Sequence, residues 1–273
     1  TAGFSTWPDS ETRFAADGWV LGPLMIAVVI GGLGFPVLHE LIGLRQRRGV
    51  ASIHTTLTLW GSAALIVGGT LAFWWAEAHN PSTLGGMDAP QQWLTALFTS
   101  VAARTAGFNV VDIGALTVES LNLHYLLMFI GGGSAGTAGG VKVTTFFVLL
   151  LVVWSEIRGH QDVEFRGRRV STSAQRQALT ILVLGAGTVV LATLAIVPMT
   201  VLPYERVLFE VISAFSTVGL STGITAQLPE AGQLVLVILM FVGRVGVVTL
   251  AAAIATNHLR RPYRYPEEKP IVG

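Results

Sequence analysis

The chain has 273 residues, of which 52% are hydrophobic and only 12% charged, with a mean hydropathy of +0.63. Soluble domains carry about twice that charge, roughly 25%, because they must cover a surface with it, so the composition excludes a soluble fold and indicates an integral membrane protein. The net charge of +1 carries no message by itself, and the lack of cysteine excludes disulfide staples, thiolate metal sites and cysteine nucleophiles.

The chain opens on Thr1-Ala2-Gly3-Phe4-Ser5, without a starting Met or a cleavable signal peptide. The reading at this point is a fragment whose N-terminal part is missing. Residues 19–44 then form an apolar run long enough to span a bilayer, which takes about 20 residues. Arg45, Arg47 and Arg48 follow it, and 55–78 is the second span. Residues 90–103 are apolar but too short to cross, as in a re-entrant helix, and lead into Thr105-Ala106-Gly107-Phe108-Asn109. The third run, 121–154, is longer than a bilayer needs and is interrupted by glycine-rich 131–140. A Pro/Gly/charge-rich stretch, 158–173, reads as a linker; Arg158, Arg166, Arg168, Arg169 and Arg176 lie between this span and the next, 178–202. A second short run, 204–216, leads into Thr217-Val218-Gly219-Leu220-Ser221. The last span, 234–257, carries Arg244 and precedes a polar tail, 260–273, holding Arg260, Arg261, Arg264 and Lys269.

Basic residues set the orientation. The loops opposite the Arg-rich ones hold only Arg13, Arg104 and Arg206, so the Arg-rich loops and the C-terminus are expected in the cytoplasm and the Thr-x-Gly loops outside. Span, short helix with loop, span and basic link recur as an internal repeat. The expected division is 1–51 for a filter loop and the second helix of one repeat, 52–160 for the next repeat, 161–177 for a cytoplasmic linker, 178–259 for the last repeat and 260–273 for the tail. The fold class is all-α integral membrane, with repeated helix–pore loop–helix units, about two and a half of them.

Gly3 and Gly107 are 104 residues apart, and Gly107 and Gly219 are 112 apart, so even the spacing nearly repeats. One Thr-Ala-Gly alone would be a turn. Three at one topological place fit a cation filter formed by Thr1, Ala2, Gly3, Thr105, Ala106, Gly107, Thr217, Val218 and Gly219. A dehydrated monovalent cation needs a cage of oxygens, and backbone carbonyls supply it without full charge. Glycine admits the dihedrals that turn several carbonyls to one axis, and the preceding short helix aims its negative end at the pore. A ring needs about four walls, and three are visible.

The segment Gly131, Gly132, Gly133, Ser134, Ala135, Gly136, Thr137, Ala138, Gly139 matches two enzyme motifs by accident. Gly131-x-Gly133-x-x-Gly136 lacks the strand that a dinucleotide fingerprint follows. Gly132-x-Ser134-x-Gly136 lacks the strand-to-helix setting and the partners of a nucleophile elbow. His39-Glu40 lacks the second His of a zinc-protease helix, and no acid–base or metal cluster supports an enzyme. Irregular backbone at membrane depth lines a wet cavity or is buried in protein. The alternative is a helix–helix contact, but those space small residues singly. A charge within a span is paired or functional, which singles out Arg244, with Lys142 beside the loop as a residue that either snorkels or positions it. Asp88, Asp112 and Glu119 either draw cations to an outer vestibule or are solvated. His39, His54, His124 and His258 read as interfacial or satisfied, and Trp74, Trp75, Trp93 and Trp154 as interface anchors.

The three loops, the stretch from Gly131 to Lys142 and Gly243-Arg244-Val245-Gly246 together resemble the Trk/Ktr superfamily of potassium-uptake proteins, over essentially the whole chain. The tail from Tyr265 to Gly273 looks closer to the Ktr membrane subunit than to its Trk relatives. The resemblance implies a prokaryotic cell-membrane protein with four helix–loop–helix repeats, of which repeat one is absent here. It implies potassium, with sodium as a second candidate ion, and no organic cofactor. It also implies an intramembrane gate at 131–139 with Arg244 near it, homodimerisation, and a cytosolic nucleotide-binding regulatory ring; no nucleic-acid partner is expected. None of the loops is the longer Thr-Val-Gly-Tyr-Gly of tetrameric channels, so weaker selectivity is expected. The competing mechanism is a secondary transporter with broken helices and alternating access, which predicts inverted repeats and a midplane site. Repeats of one orientation with loops on one side favour the channel-like reading.

Overall fold

The computed structural model describes residues 3, 5, 7, 10–47 and 50–246, leaving aside the side chains of 45–47. Thr1, Ala2, the end of the last expected span and the tail with His258 lie outside the described residues.

The apolar run expected as one span over 19–44 is two helices, α1 (Gly18–Leu33) and α2 (Phe35–Arg47), bent by 94°. Asp17 starts α1 by accepting a hydrogen bond from the Trp19 amide at 2.9 Å. Gly34 ends it, in a left-handed conformation with φ of +88° that side chains rarely adopt. Next come α3 (Ile53–Glu77), begun by Ser52, and α4 (Ala89–Ala102), with Pro90 in its first turn. At about 1.5 Å per residue α3 exceeds a bilayer of about 30 Å and α4 falls short of it. The long third run is split as its glycines require, into α5 (Val118–Phe129) and α6 (Val143–Ile157).

The basic stretch after α6 turns back as an antiparallel hairpin, β1 (Glu164–Phe165) with β2 (Arg168–Arg169). Its turn passes through Arg166 and Gly167, both left-handed. Helix α7 (Thr172–Ile196) begins at its Ser171 cap, inside the expected linker, because a polar first turn outside the bilayer tolerates Gln175 and Arg176. The short α8 (Tyr204–Phe215) follows. Last among the described elements is α9 (Glu230–Val245), ended by Gly246 at φ +90° as α1 is ended by Gly34.

The short helices lie at the centre. α4 packs between α1 and α3, and α8 among α5, α7 and α9. Val207, Phe209, Val211, Ile212 and Phe215 of α8 are all buried. The longer helices carry the lipid-facing surface: Trp60, Val67, Leu71 and Trp75 on α3, and Val183, Val190, Leu191 and Leu194 on α7, are exposed. Among the described residues α3 and the α7 region Thr172–Met199 are long and apolar enough to cross a membrane alone, and the bent α1–α2 pair is a third. The protein is an all-α membrane fold, consistent with the repeated units read in the sequence.

One reading by residue type changes, and one of two alternatives for a histidine is selected. Trp74 and Trp93 stack on each other, ring centroids 4.7 Å apart, and Trp74 donates to Gln92 at 3.1 Å, so this pair ties α3 to α4. His124 is in the core, its Nδ1 against the Ser120 carbonyl at 2.7 Å and its ring edge-on to Phe73.

Glu77, fully buried at the end of α3, accepts from Asn80 Nδ2 at 2.7 Å and from the Thr117 amide and hydroxyl at 2.9 and 2.7 Å. It fastens α3 to the start of α5. Glu77→Ala leaves these donors unsatisfied and is expected to cost about 2–4 kcal/mol, read as a lower unfolding midpoint of the purified protein in detergent. An unchanged midpoint would show that the carboxylate is dispensable.

Candidate functional site: converging glycine loops above a folded plug

The residues after α4 and α8 take an alternating backbone. Thr105 has φ +71° and Gly107 +78°; Thr217 has +52° and Gly219 +93°, while Ala106 and Val218 between them do not share the left-handed form. Gly3, at +67°, repeats the pattern's glycine. A left-handed β-branched residue is strained, and such strain persists only where surroundings hold it.

The three loops meet. A Cβ built on Gly3 would lie 2.7 Å from the Ala106 carbonyl oxygen and 2.8 Å from Gly107 Cα. One on Gly107 would lie 2.7 Å from the Val218 carbonyl oxygen and 2.9 Å from Gly3 Cα. One on Gly219 would meet Gly107 Cα at 3.2 Å. The second and third loops therefore turn the carbonyl between Thr and Gly toward a neighbouring glycine, Ala106 toward Gly3 and Val218 toward Gly107. Of the expected filter residues, Gly3, Thr105, Ala106, Gly107, Thr217, Val218 and Gly219 are brought together at this constriction.

Hydrogen bonds hold it from behind. The Val218 amide donates to the Ser213 carbonyl at 2.9 Å, and Ser213 Oγ donates to Leu220 at 2.6 Å. Glu210, 5% exposed, accepts from Ser221 Oγ at 2.7 Å, the Thr222 amide at 2.9 Å and Thr225 Oγ1 at 2.8 Å. The first two loops are tied by Glu11, whose amide donates to the Asn109 carbonyl at 3.1 Å, and by Ser10 Oγ, which accepts from the Asn109 amide at 3.2 Å. The C-terminal ends of α4 and α8, directly before the threonines, bring negative helix poles to the same place. Of the acids expected at an outer vestibule, Asp112 is engaged locally, accepting from the Gly114 amide at 2.8 Å.

Segment 131–140 is folded on itself beside this constriction. The Gly131 amide donates to Val141 at 2.8 Å, and the Val143 amide to Gly132 at 3.0 Å. One flank fills the bend between α1 and α2: the Gly133 amide donates to Gly32 at 2.6 Å, and the Thr137 amide and hydroxyl both reach the Gly31 carbonyl at 3.2 Å. The other flank touches the third loop, where a Cβ on Gly139 would meet Thr217 Oγ1 and lie 2.6 Å from the Ser216 carbonyl oxygen. Two cations grip adjacent carbonyls: Lys142 Nζ donates to Ala138 at 2.5 Å and Arg244 Nη1 to Thr137. Ser134 and Thr144 pair their hydroxyls at 3.1 Å, and the Phe35 amide reaches Ala135 at 3.4 Å. Gly136 packs beside Gly34. The expected gate residues thus form one cluster.

Arg104 is the residue that the sequence reading misplaced. It was grouped with outer-loop charges, yet it is 7% exposed and sits between the second glycine loop and the folded segment. It donates to the Ser62 carbonyl and hydroxyl, each at 3.2 Å, and to the Gly131 carbonyl at 3.1 Å. Its signal was its place, directly before Thr105 at the end of an apolar run. Glu210 was passed over as well: unlike Glu205 and Arg206 at the start of 204–216 it lies inside the apolar part of that stretch, and charge at that depth needs a task.

Comparison with known proteins gives the family and the fold. Residues 1–259 match the TrkH family, described as cation transport proteins. The chain is similar to the Ktr system potassium uptake protein B of Vibrio alginolyticus, 37% identical over all of this chain and 60% of that protein. It is also similar to the protein of the same name in Bacillus subtilis, at 35% over 61% of that protein, and to the potassium/sodium uptake protein NtpJ of Enterococcus hirae, at 32% over 61%. The chain thus spans about three-fifths of the length of these curated relatives. The crystal structure of the potassium transporter TrkH from Vibrio parahaemolyticus matches with a TM-score of 0.76, covering 92% of this chain and 55% of that one at 17% identity, a likeness of fold.

The contacts order the glycines. Gly107→Ala must push apart two backbones, whereas Gly219→Ala meets one atom at 3.2 Å. Cation uptake by cells carrying the full-length protein is expected to fall much further for Gly107→Ala than for Gly219→Ala. Equal uptake in both variants would show that the loops do not meet as described.

Proposed function

Because the chain belongs to the TrkH family of cation transport proteins, we propose that it is the larger part of the pore-forming subunit of a potassium uptake system. Potassium passes through the constriction of the three glycine loops, with sodium as the second ion it admits. The observation that carries this reading is the meeting of three Thr-x-Gly backbones, each with its glycine left-handed and an Ala or Val carbonyl turned toward a neighbour where the carbonyl's position is known. Carbonyl oxygens replace part of the ion's hydration shell, and the ends of α4 and α8 favour positive charge there. The chain supplies three walls of a four-walled pore, divided as 1–51, 52–160 and 178–259 around a linker at 161–177.

In the same reading segment 131–139 is the gate. Lys142 and Arg244 are its latches, since they hold adjacent carbonyls. The Arg-rich side faces the cytoplasm, and the full-length protein works as a homodimer above a cytosolic nucleotide-binding ring. Exposed Arg166 and Arg168 on the hairpin are suited to such a partner.

Breaks at Gly34, 131–140 and Gly246 are also what a broken-helix transporter with alternating access would use. Ion flux in vesicles separates the two. Deleting 132–138 from the full-length protein is expected to raise potassium flux severalfold and to give flux linear in driving force. Slower, saturating turnover would favour alternating access, and an unaltered rate in a folded deletion would make the segment mere packing. Gly107→Asp tests the filter: potassium-over-sodium discrimination is expected to drop, and unchanged discrimination would remove the filter assignment.

A further inference from the structure

The second and third glycine loops are entered at equivalent positions: Arg104 precedes Thr105 and Ser216 precedes Thr217. Both residues lie just past the end of a short helix, α4 or α8, and both are buried, at 7% and 0% exposure. Each touches segment 131–140, and they touch opposite ends of it. Arg104 Nη2 donates to the Gly131 carbonyl at 3.1 Å, while Nη1 anchors the same guanidinium on the Ser62 carbonyl at 3.2 Å. Ser216 closes on the other end. A Cβ on Gly139 would lie 2.6 Å from the Ser216 carbonyl oxygen, and one on Gly140 would lie 2.9 Å from Ser216 Oγ and 3.1 Å from Ser216 Cβ. Ser216 Oγ is buried and makes no hydrogen bond, so this grip is one of shape.

Those two ends form one body. Ile130 pairs with Val141 in a bridge, with the Gly131 amide on the Val141 carbonyl at 2.8 Å and the Val141 amide on the Phe129 carbonyl at 3.1 Å. A Cβ on Gly131 would collide with the Gly139 carbonyl oxygen. The Phe129 ring stacks on that of Phe215, the residue before Ser216, with centroids 6.1 Å apart. Ile130 and Val141 are each 1% exposed, whereas Ala135 and Thr137 in the middle of the segment are open. The segment therefore has a buried neck, 129–131 with 139–141, and an outer tip, 132–138. Lys142 and Arg244 grip carbonyls of the tip, and the bend between α1 and α2 accepts the tip's Gly133 and Thr137 amides. The residues that lead into the glycine loops rest on the neck.

We propose that the neck braces the filter, and that Arg104 and Ser216 are positioning residues that set its ion discrimination. A cage of carbonyls separates potassium from sodium by the number and placement of its oxygens. Thr105 and Thr217 are left-handed, a form that persists only where the surroundings hold it. The neck is the one support that the residues before both of them share. Tip and neck then have separate tasks: the tip sets how fast ions pass, and the neck sets which ions pass. The brace rests on the reading of the glycine loops as the filter.

The test measures the ratio of potassium to sodium flux in vesicles that hold the purified full-length protein. Arg104→Lys keeps the charge but loses the fork that spans Ser62 and Gly131. Gly140→Ala presses on Ser216 and strains a backbone at φ +66°. Each is expected to lower the ratio roughly fivefold, equivalent to about 1 kcal/mol of discrimination. Adding Ser216→Gly to Gly140→Ala removes the two side-chain atoms that the new methyl meets, and is expected to restore most of the ratio. A fold defect alone lowers total flux and leaves the ratio of the surviving protein unchanged. Deleting 132–138 keeps the neck and is expected to leave the ratio near that of the unaltered protein. Unchanged ratios in Arg104→Lys and Gly140→Ala, beside a lowered ratio in Gly107→Asp, overturn the brace and keep the filter; an unchanged ratio in Gly107→Asp overturns both. A ratio lost as fully on deletion of 132–138 as in Gly140→Ala overturns the assignment to the neck.

Discussion

The structure depends on the approach of three backbones to within contact of one another. No side chain fits where Gly3, Gly107 and Ala106 meet, and Thr105 and Thr217 are held left-handed at a cost of about 1–3 kcal/mol each. Such a junction is stable only inside a rigid frame. The frame explains why α4 and α8, too short to cross a bilayer, are the most enclosed helices. It also explains why acids occur where lipid would forbid them: Glu210 collects the hydroxyls and amide that follow the third loop, and Glu77 closes the top of α3.

The folded segment answers a second constraint. Ten residues of irregular backbone at membrane depth expose more amides and carbonyls than they can pair internally. Their partners are the carbonyls left open where α1 breaks, and the side chains of Arg104, Lys142 and Arg244. The break at Gly34 and the loop at 131–140 are therefore complementary. The bend frees Gly31 and Gly32 as acceptors, and the loop brings them donors. Arg104 joins this system to the second glycine loop, because its side chain, placed beside Thr105, holds Gly131, the first residue of the segment.

The sequence showed what is periodic or compositional. The Thr-x-Gly loops repeat, the short helices precede them, and massed glycines must interrupt a helix; all three follow from local chemistry. The bend in α1–α2 did not show, since 19–44 is apolar throughout and a helix at that hydropathy looks the same straight or bent. Its mark was the cluster Gly31-Gly32-Leu33-Gly34. Arg104 was misread because counting basic residues by loop assumes that they face water. His124 and Trp74 were assigned by type, and only packing decides whether such a ring faces lipid or core. The roles proposed for the gate and for Arg244 came from family resemblance; the residues by themselves said no more than polar backbone and a costly charge.

On the proposed reading, the residues that hold the loop also oppose the ion. Arg104, Lys142 and Arg244 bring positive charge around one short segment, and at an effective dielectric near 20 a unit charge about 8 Å away raises a cation's energy by about 2 kcal/mol. A carbonyl gripped by a cation is likewise unavailable to potassium. Closure is then electrostatic as much as steric: the loop blocks the space while its latches cancel the attraction supplied by the ends of α4 and α8. Opening then needs both the withdrawal of these latches and the parting of the segment's backbone hydrogen bonds to Gly31 and Gly32 where α1 breaks.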